Sequence, residues 1–293
     1  MRRSLVRGIA VAATAVVTMG VGVAAADAGT GYQPAIGIPA YWSPEVESGM
    51  AMFDRLAEAT PTVDTVIING PASAPPVPFS AATAEAIRRL RREGATVLGY
   101  VDTGYLGRTG LTTTRVAPGS TEIADWRAQI DADAKAWQRL YGRYGLAGIF
   151  LDQTLSSCGV DGEYVDVYGA VGRQIQRRQR GATIALNPGT TVDECYTDVA
   201  DVIMIFENTA EVYQTWEPPA WVREHPETMF WHLIHGAATI DDMRAALALA
   251  RDRHAGYVYV TNHTISAAGS PWTDLPPAEY WEDQLRQVRR RCR

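Results

Sequence analysis

The chain has 293 residues, 46% of them hydrophobic, and a formal net charge of −6 at pH 7. An acidic balance argues against nucleic acid as a partner, because its binders need a basic footprint, and it suits a neutral or cationic one. Lys135 is the only lysine, so Schiff-base chemistry is excluded unless that residue carries it.

The N-terminus carries Arg2, Arg3 and Arg7, then an apolar stretch from Ile9 to Val23, then Ala24-Ala25-Ala26 ahead of Asp27. A basic head, an apolar middle and a small-residue exit predict a secretory signal peptide over residues 1–26. A retained membrane anchor is the competing reading, since the apolar run approaches the length of a span, but small residues at both −3 and −1 of a cut after Ala26 favour removal. Cleavage takes away three arginines and no acids, which moves the formal charge from −6 to −9. No other apolar run is long enough to span a bilayer. The mature chain is therefore expected to be secreted, free of the membrane and monomeric.

After a short lead over residues 27–35, brief apolar runs alternate with longer amphipathic ones. The predicted strands are Ile36 to Trp42, Thr65 to Asn69, Thr96 to Asp102, Gly148 to Asp152, Thr183 to Asn187, Val202 to Glu207, Met229 to Ile234 and Gly256 to Thr261. Each is short, rich in β-branched or aromatic residues and followed by a polar or Gly/Pro loop. The predicted helices are Gly49 to Ala59, Ala81 to Glu93, Glu122 to Tyr144, Tyr164 to Arg180, Val192 to Val199, Glu211 to Arg223, Asp241 to Arg253 and Ala278 to Arg291. Strict β-then-α alternation implies a parallel sheet, and eight repeats close a (β/α)8 TIM barrel, class α/β, over residues 36–293 as one domain. A doubly wound open sheet would show a Gly-rich turn after its first strand, where this chain has Tyr41-Trp42-Ser43-Pro44.

Barrel chemistry sits at the C-terminal strand ends. Here those positions read Tyr41, Trp42, Asn69, Asp102, Tyr105, Asp152, Gln153, Asn187, Glu207, Asn208, His235, Thr261 and Asn262. Asp152 ends GIFLD and Glu207 ends VIMIFE, each directly after an apolar run, and Asp102 ends VLGYVD. A carboxylate in such a place is either functional or a paired structural charge, because an unpaired buried charge costs too much. Two facing carboxyls are what glycosidic cleavage requires, one to protonate the leaving oxygen and one to attack or to activate water. Tyr41, Trp42, Tyr105 and Trp272 offer flat surfaces for sugar faces, while Asn69, Asn187 and Asn262 offer amides for hydroxyl or acetamido groups. Trp231, inside a strand, reads as core, and Asn187 before Pro188-Gly189 also reads as a turn residue.

Export permits disulfides, and Cys158 with Cys195, lying beyond two successive strands, is the preferred pair, leaving Cys292 free. No CxxC or paired Cys/His spacing suggests zinc, and His232 and His235 fall on opposite faces of an extended strand. No Gly-rich phosphate loop follows a strand, so no nucleotide or redox cofactor is expected. A phosphodiesterase would need an Arg/His cradle, for which Arg108 alone is thin support.

The ordered run of PAYWSP, LGYVDTGYLGR, GIFLDQ, LNPGT, IMIFEN, HLIHG, YVYVTN and SPWTDLPPAEYW resembles the spherulin-4-like proteins, grouped as glycoside hydrolase family 135. The resemblance implies an exported (β/α)8 barrel that cleaves α-1,4-linked N-acetylgalactosamine stretches internally in a galactosamine-rich exopolysaccharide. It also implies Asp152 as nucleophile or charge stabiliser and Glu207 as general acid/base. The family commonly follows its first aspartate with glutamate, where this chain has Gln153; its second strand end, NGPASAPP, also departs from a more Gly-rich loop. A carbohydrate-binding barrel that has lost hydrolysis with Gln153 is the alternative, since an amide keeps hydrogen bonding but not proton transfer.

Overall fold

The computed structural model describes residues 33–109, 120–265 and 269–289. The expected leader and Cys292 lie outside them. Eight strands, β1 (Ala35–Ala40), β2 (Val63–Ile68), β3 (Thr96–Asp102), β4 (Gly148–Asp152), β5 (Thr183–Asn187), β6 (Val202–Thr209), β7 (Phe230–His235) and β8 (Tyr257–Val260), pair in parallel and in chain order into a closed barrel. Closure satisfies every strand edge, β8 returning to β1 through Ala35 and Ile36.

Among the described residues the outer ring holds α1 (Glu47–Glu58), α2 (Ala81–Glu93), α3 (Ile123–Tyr141), α4 (Glu163–Arg178), α5 (Ala210–Thr215), α6 (Ile240–Asp252) and α7 (Ala278–Arg289). Local chemistry fixes several of their ends. Ser80 caps α2 by accepting the Thr83 N–H at 2.9 Å, and Thr239 forms a reciprocal capping box with Asp242 at the start of α6. Two predicted helices differ. Val192 to Val199 contains only a 3-10 turn at Glu194–Asp198, where the Asp193 side chain accepts the Cys158 N–H at 3.1 Å and so supplies no N-cap bond. Glu211 to Arg223 breaks into α5 and a 3-10 turn at Ala220–Glu224, because Pro218-Pro219 lacks the N–H groups a helix needs.

Aromatics fill the barrel interior. Trp231 of β7 is fully buried and donates its indole N–H to the Gly37 carbonyl at 3.1 Å. A Cβ on Gly37 would lie 2.5 Å from that indole, so the close approach demands glycine there. Above it, Phe150 lies 6.2 Å from Trp231, Tyr100 lies 6.1 Å from Phe150, and Tyr41 meets the Tyr100 ring edge-on at 5.4 Å. This column leads from the floor to the C-terminal rim. Cys158 and Cys195 are bridged across the loops after β4 and β5, as expected, with Cα atoms 6.2 Å apart.

Candidate active site

Register and alternation deliver the rim residues. Tyr100, Phe150 and Ala185 are laterally aligned on β3, β4 and β5, and two residues on, Asp102, Asp152 and Asn187 form the next layer of the same face. On β6 the pairing with β7 skips Ile205, a bulge after which Phe206 lies opposite His232 and Glu207 opposite Leu233. Phe206 then packs outward on Tyr213 and Trp216, and Glu207 faces inward.

The two acids meet through one amide. Asn187 Nδ2 donates to Asp152 Oδ1 at 2.7 Å and to Glu207 Oε2 at 2.7 Å, so these two oxygens are at most 5.4 Å apart, twice the bond length. The other end of the same amide, Oδ1, accepts the Gly189 N–H at 2.8 Å. The turn reading and the site reading of Asn187 are thus met in one side chain, whose polar atoms are engaged by protein. Tyr100 donates its hydroxyl to Asp152 Oδ2 at 2.6 Å, and the Trp272 indole donates to Glu207 Oε1 at 2.9 Å.

These partners are neutral, and electrostatics follows from that. Burial first, and the Glu207 carboxylate second, push Asp152 up to about 7, against hydrogen bonds from Tyr100 and the Gln153 backbone that favour its charged form. Burial likewise raises Glu207, opposed by its bonds from Asn187 and Trp272. The phenols of Tyr41, Tyr100 and Tyr105 are all held above their ordinary range, mainly by burial and then by Asp152. A carboxyl pair close enough to share a donor and lacking a cationic partner holds a proton near neutral pH.

A cleft of about 580 Å³ opens on the pair. Its walls come from Tyr41 after β1, Asn69, Gly70, Ala72 and Ser73 after β2, Tyr100, and the segment after β8 containing Ile265 and Gly269 to Thr273. Of the residues singled out in the sequence, the cleft gathers Tyr41, Asn69, Asp152, Glu207 and Trp272 around Asn187. Tyr105, half-buried with a left-handed φ of 48°, is close enough to feel both acids.

The others are placed differently. Asp102 is buried and accepts the Gly104 N–H at 2.8 Å, holding the loop after β3. Gln153 has a φ of 54°, and its carbonyl accepts the Tyr105 N–H at 2.7 Å and the Thr103 hydroxyl at 2.8 Å, so its backbone ties two loops together. Trp42 packs on Phe53, and Trp272 is 3% exposed between His235 and Tyr259. Neither indole presents an open stacking face; Trp272 acts as a hydrogen-bond donor instead. Asn208, next to an inward Glu207, falls on the opposite face, is exposed and accepts the Thr209 N–H at 2.8 Å. His235 is buried, which lowers its imidazole below the ordinary range, and Asn262 has a buried Oδ1 with no hydrogen-bond partner. His232 points outward, 2.7 Å from the Tyr213 hydroxyl. Among the described residues no three His, Cys, Asp or Glu side chains are grouped to hold a metal ion.

Tyr100 was not singled out from the sequence. Its signal is the strand period: two residues before Asp102, and aligned with Phe150, it had to share the inward face.

The family model for spherulation-specific family 4 matches residues 35–288, nearly all of the described chain. The chain belongs to this family. Spherulin-4 of Physarum polycephalum is 27% identical over 230 residues, covering 72% of this chain, and the chain spans about 60% of that relative's length. Among solved structures, Aspergillus clavatus Sph3 in complex with GalNAc superposes with a TM-score of 0.65 at 17% identity, covering 88% of this chain and 98% of Sph3. A chitinase from Chromobacterium violaceum gives 0.54 at 12% identity, covering 88% and 100%. These likenesses speak to the barrel that the spherulation-specific family 4 chain shares with them. No described helix is long and apolar enough to cross a membrane.

Proposed function

We propose that this chain is a secreted glycosidase that cuts within an amino-sugar polymer, α-1,4-linked N-acetylgalactosamine stretches above all, with retention of anomeric configuration. The observation that carries the reading is the Asn187 amide nitrogen 2.7 Å from an oxygen of each carboxyl. Retaining enzymes hold their two carboxyls about 5 to 5.5 Å apart, and inverting ones need about 6.5 to 9.5 Å to admit a water. The shared donor favours the closer spacing.

Donor count orders the roles. Asp152 accepts from Tyr100, Asn187 and the Gln153 backbone, while Glu207 accepts from Asn187 and Trp272. The pair holds one proton near neutral pH, and the reactive arrangement is the one with that proton on Glu207 and Asp152 ionised, a charged form that the three donors to Asp152 favour. Asp152 then attacks the anomeric carbon as Glu207 protonates the departing glycosidic oxygen. In the second half, Glu207 takes a proton from water, which displaces Asp152 and frees the sugar. The presence of GalNAc in the Sph3 structure supports the choice of sugar, and the acidic chain suits a partly deacetylated, cationic polymer.

The test is product release from partly deacetylated poly-N-acetylgalactosamine by the protein, beside Asp152→Ala and Glu207→Ala. Oligosaccharides from the wild type and none from either variant support the glycosidase. One feature favours a second reading, a binding barrel without hydrolysis: the neutral Gln153 beside Asp152. Polymer bound but uncut by the wild type, with cleavage appearing in Gln153→Glu, would select it.

A further inference from the structure

Beyond the cleft lies a second cavity on the same rim, of about 380 Å³, between the loops that follow β1 and β2. The two share walls at Tyr41, Asn69 and Gly70, so the space over the acids continues into it. Its own wall is made by Trp42, Pro44, Pro71 and Pro76, with Ser43 and Glu45 at the solvent side. Three prolines, with the buried Trp42 behind them, form a rigid apolar surface that needs no ordering when a ligand arrives. Trp42 is 6% exposed and its indole N–H is buried without an acceptor in the protein, so the polar groups that reach the cavity come from Ser43, Glu45 and Asn69. Glu45 is exposed and accepts the Ser80 hydroxyl, which leaves a fixed carboxylate at the mouth.

A mostly apolar wall with a few fixed polar groups, in a volume typical of small-molecule sites, fits a sugar ring lying flat with hydroxyls or an amine at its edge. We infer that this cavity is a subsite for one further amino-sugar unit of the same polymer, with the unit's ring against the proline surface and its hydroxyl or ammonium edge at Glu45. The inference rests on the glycosidase reading for the identity of the polymer, but on the second cavity for its site.

Binding tests it without needing turnover. Affinities of N-acetylgalactosamine oligomers of one to six units are measured by calorimetry in a Glu207→Gln background, alone and combined with Ser43→Trp, which fills the cavity from an exposed position, or with Glu45→Ala. Expected is affinity that rises with length and falls about tenfold for the long oligomers in Ser43→Trp and several-fold in Glu45→Ala, with the single sugar unaffected. Equal affinities at every length in both variants overturn the subsite and leave the glycosidase reading to its cleavage test. The tenfold loss in a protein whose wild type cuts no oligomer keeps the subsite and sinks hydrolysis. No binding at any length overturns both.

Discussion

Carboxyl side chains are drawn largely out of water at two very different places in this barrel. On the outside, Asp283 of α7 is 5% exposed and receives two hydrogen bonds from Arg244, at 2.8 and 3.0 Å, one from Arg286 at 2.9 Å and one from Gln287 at 3.3 Å. The Arg244 fork, with Arg286 behind it, holds this carboxyl well below its ordinary range. On the rim, Asp152 and Glu207 are half-buried at the floor of the cleft, their donors are an amide, a phenol and an indole, and both rise. Desolvation raises a carboxyl at both places; it prevails on the rim, where no cation answers it, and is outweighed at Asp283 by the arginines. Paired with arginine, it is a permanent anion that ties α6 to α7. With neutral donors and a second acid for company, it becomes a group that gives and takes a proton near neutral pH.

The comparison breaks most visibly if the rim acids are made neutral. Glu207→Gln keeps the acceptor for Trp272 but carries no transferable proton, and should lower kcat by a factor on the order of 10³. Its melting temperature should not fall, because an acid that resists ionisation is relieved by substitution. A loss of activity that merely tracks unfolding would refute this. Asp283→Ala should behave oppositely. Three charge-assisted bonds disappear, and with Arg244 and Arg286 themselves 48% and 58% exposed, solvent makes up part of the loss, leaving about 2 kcal/mol in urea unfolding. Its kcat/KM, normalised to folded protein, should stay within about twofold. A catalytic defect at this distance would mean that α7 does more than hold the barrel.

The sequence made the barrel and its two acids legible for the same reason. Buried parallel strands read as short apolar runs, and GIFLD and VIMIFE end abruptly in a carboxyl. Trp231 was likewise readable as core, since it sits inside such a run. Strand period could have gone further: it ranks Tyr100 with Asp102 as inward, and it forbids Glu207 and Asn208 from sharing a face. The break in the helix beginning at Ala210 was also present as Pro218-Pro219. What no local pattern could supply is the role of Trp272. It lies in a loop without periodicity, and only the closed barrel brings it across 65 residues of chain to Glu207, with its faces covered by His235 and Tyr259. The bridge made by Asn187 was hidden similarly, because LNPG already explains an asparagine by its turn.

A finer probe of the contrast is Tyr100→Phe. The lost hydroxyl is the strongest donor to Asp152 and favours its charged form, so the carboxyl should rise further. If Asp152 must be ionised to attack, the acid limb of the kcat/KM profile moves to higher pH, and activity on its plateau falls about tenfold, in keeping with one hydrogen bond to a charged group. An unmoved acid limb would assign the ionised role to Glu207 instead.

The smallest effect is the pH dependence of stability, and here the two places differ in sign. Asp152 binds its proton more tightly folded than unfolded, so between the unfolded value near 4 and the folded value of about 7 the native state holds more protons, and stability falls as pH rises through that window. For Asp283 the folded value is depressed. Its contribution is complete above the unfolded value and is lost only as the pH drops below about 4. Urea midpoints from pH 3 to 8 separate them: Asp152→Asn should flatten the decline between pH 5 and 7 by on the order of 1 kcal/mol, and Asp283→Asn should remove part of the acid-side loss while leaving that decline in place. Parallel curves for wild type and Asp152→Asn would mean that the acid ionises normally in the fold, and that the neutral donors around it solvate its charge as well as water does.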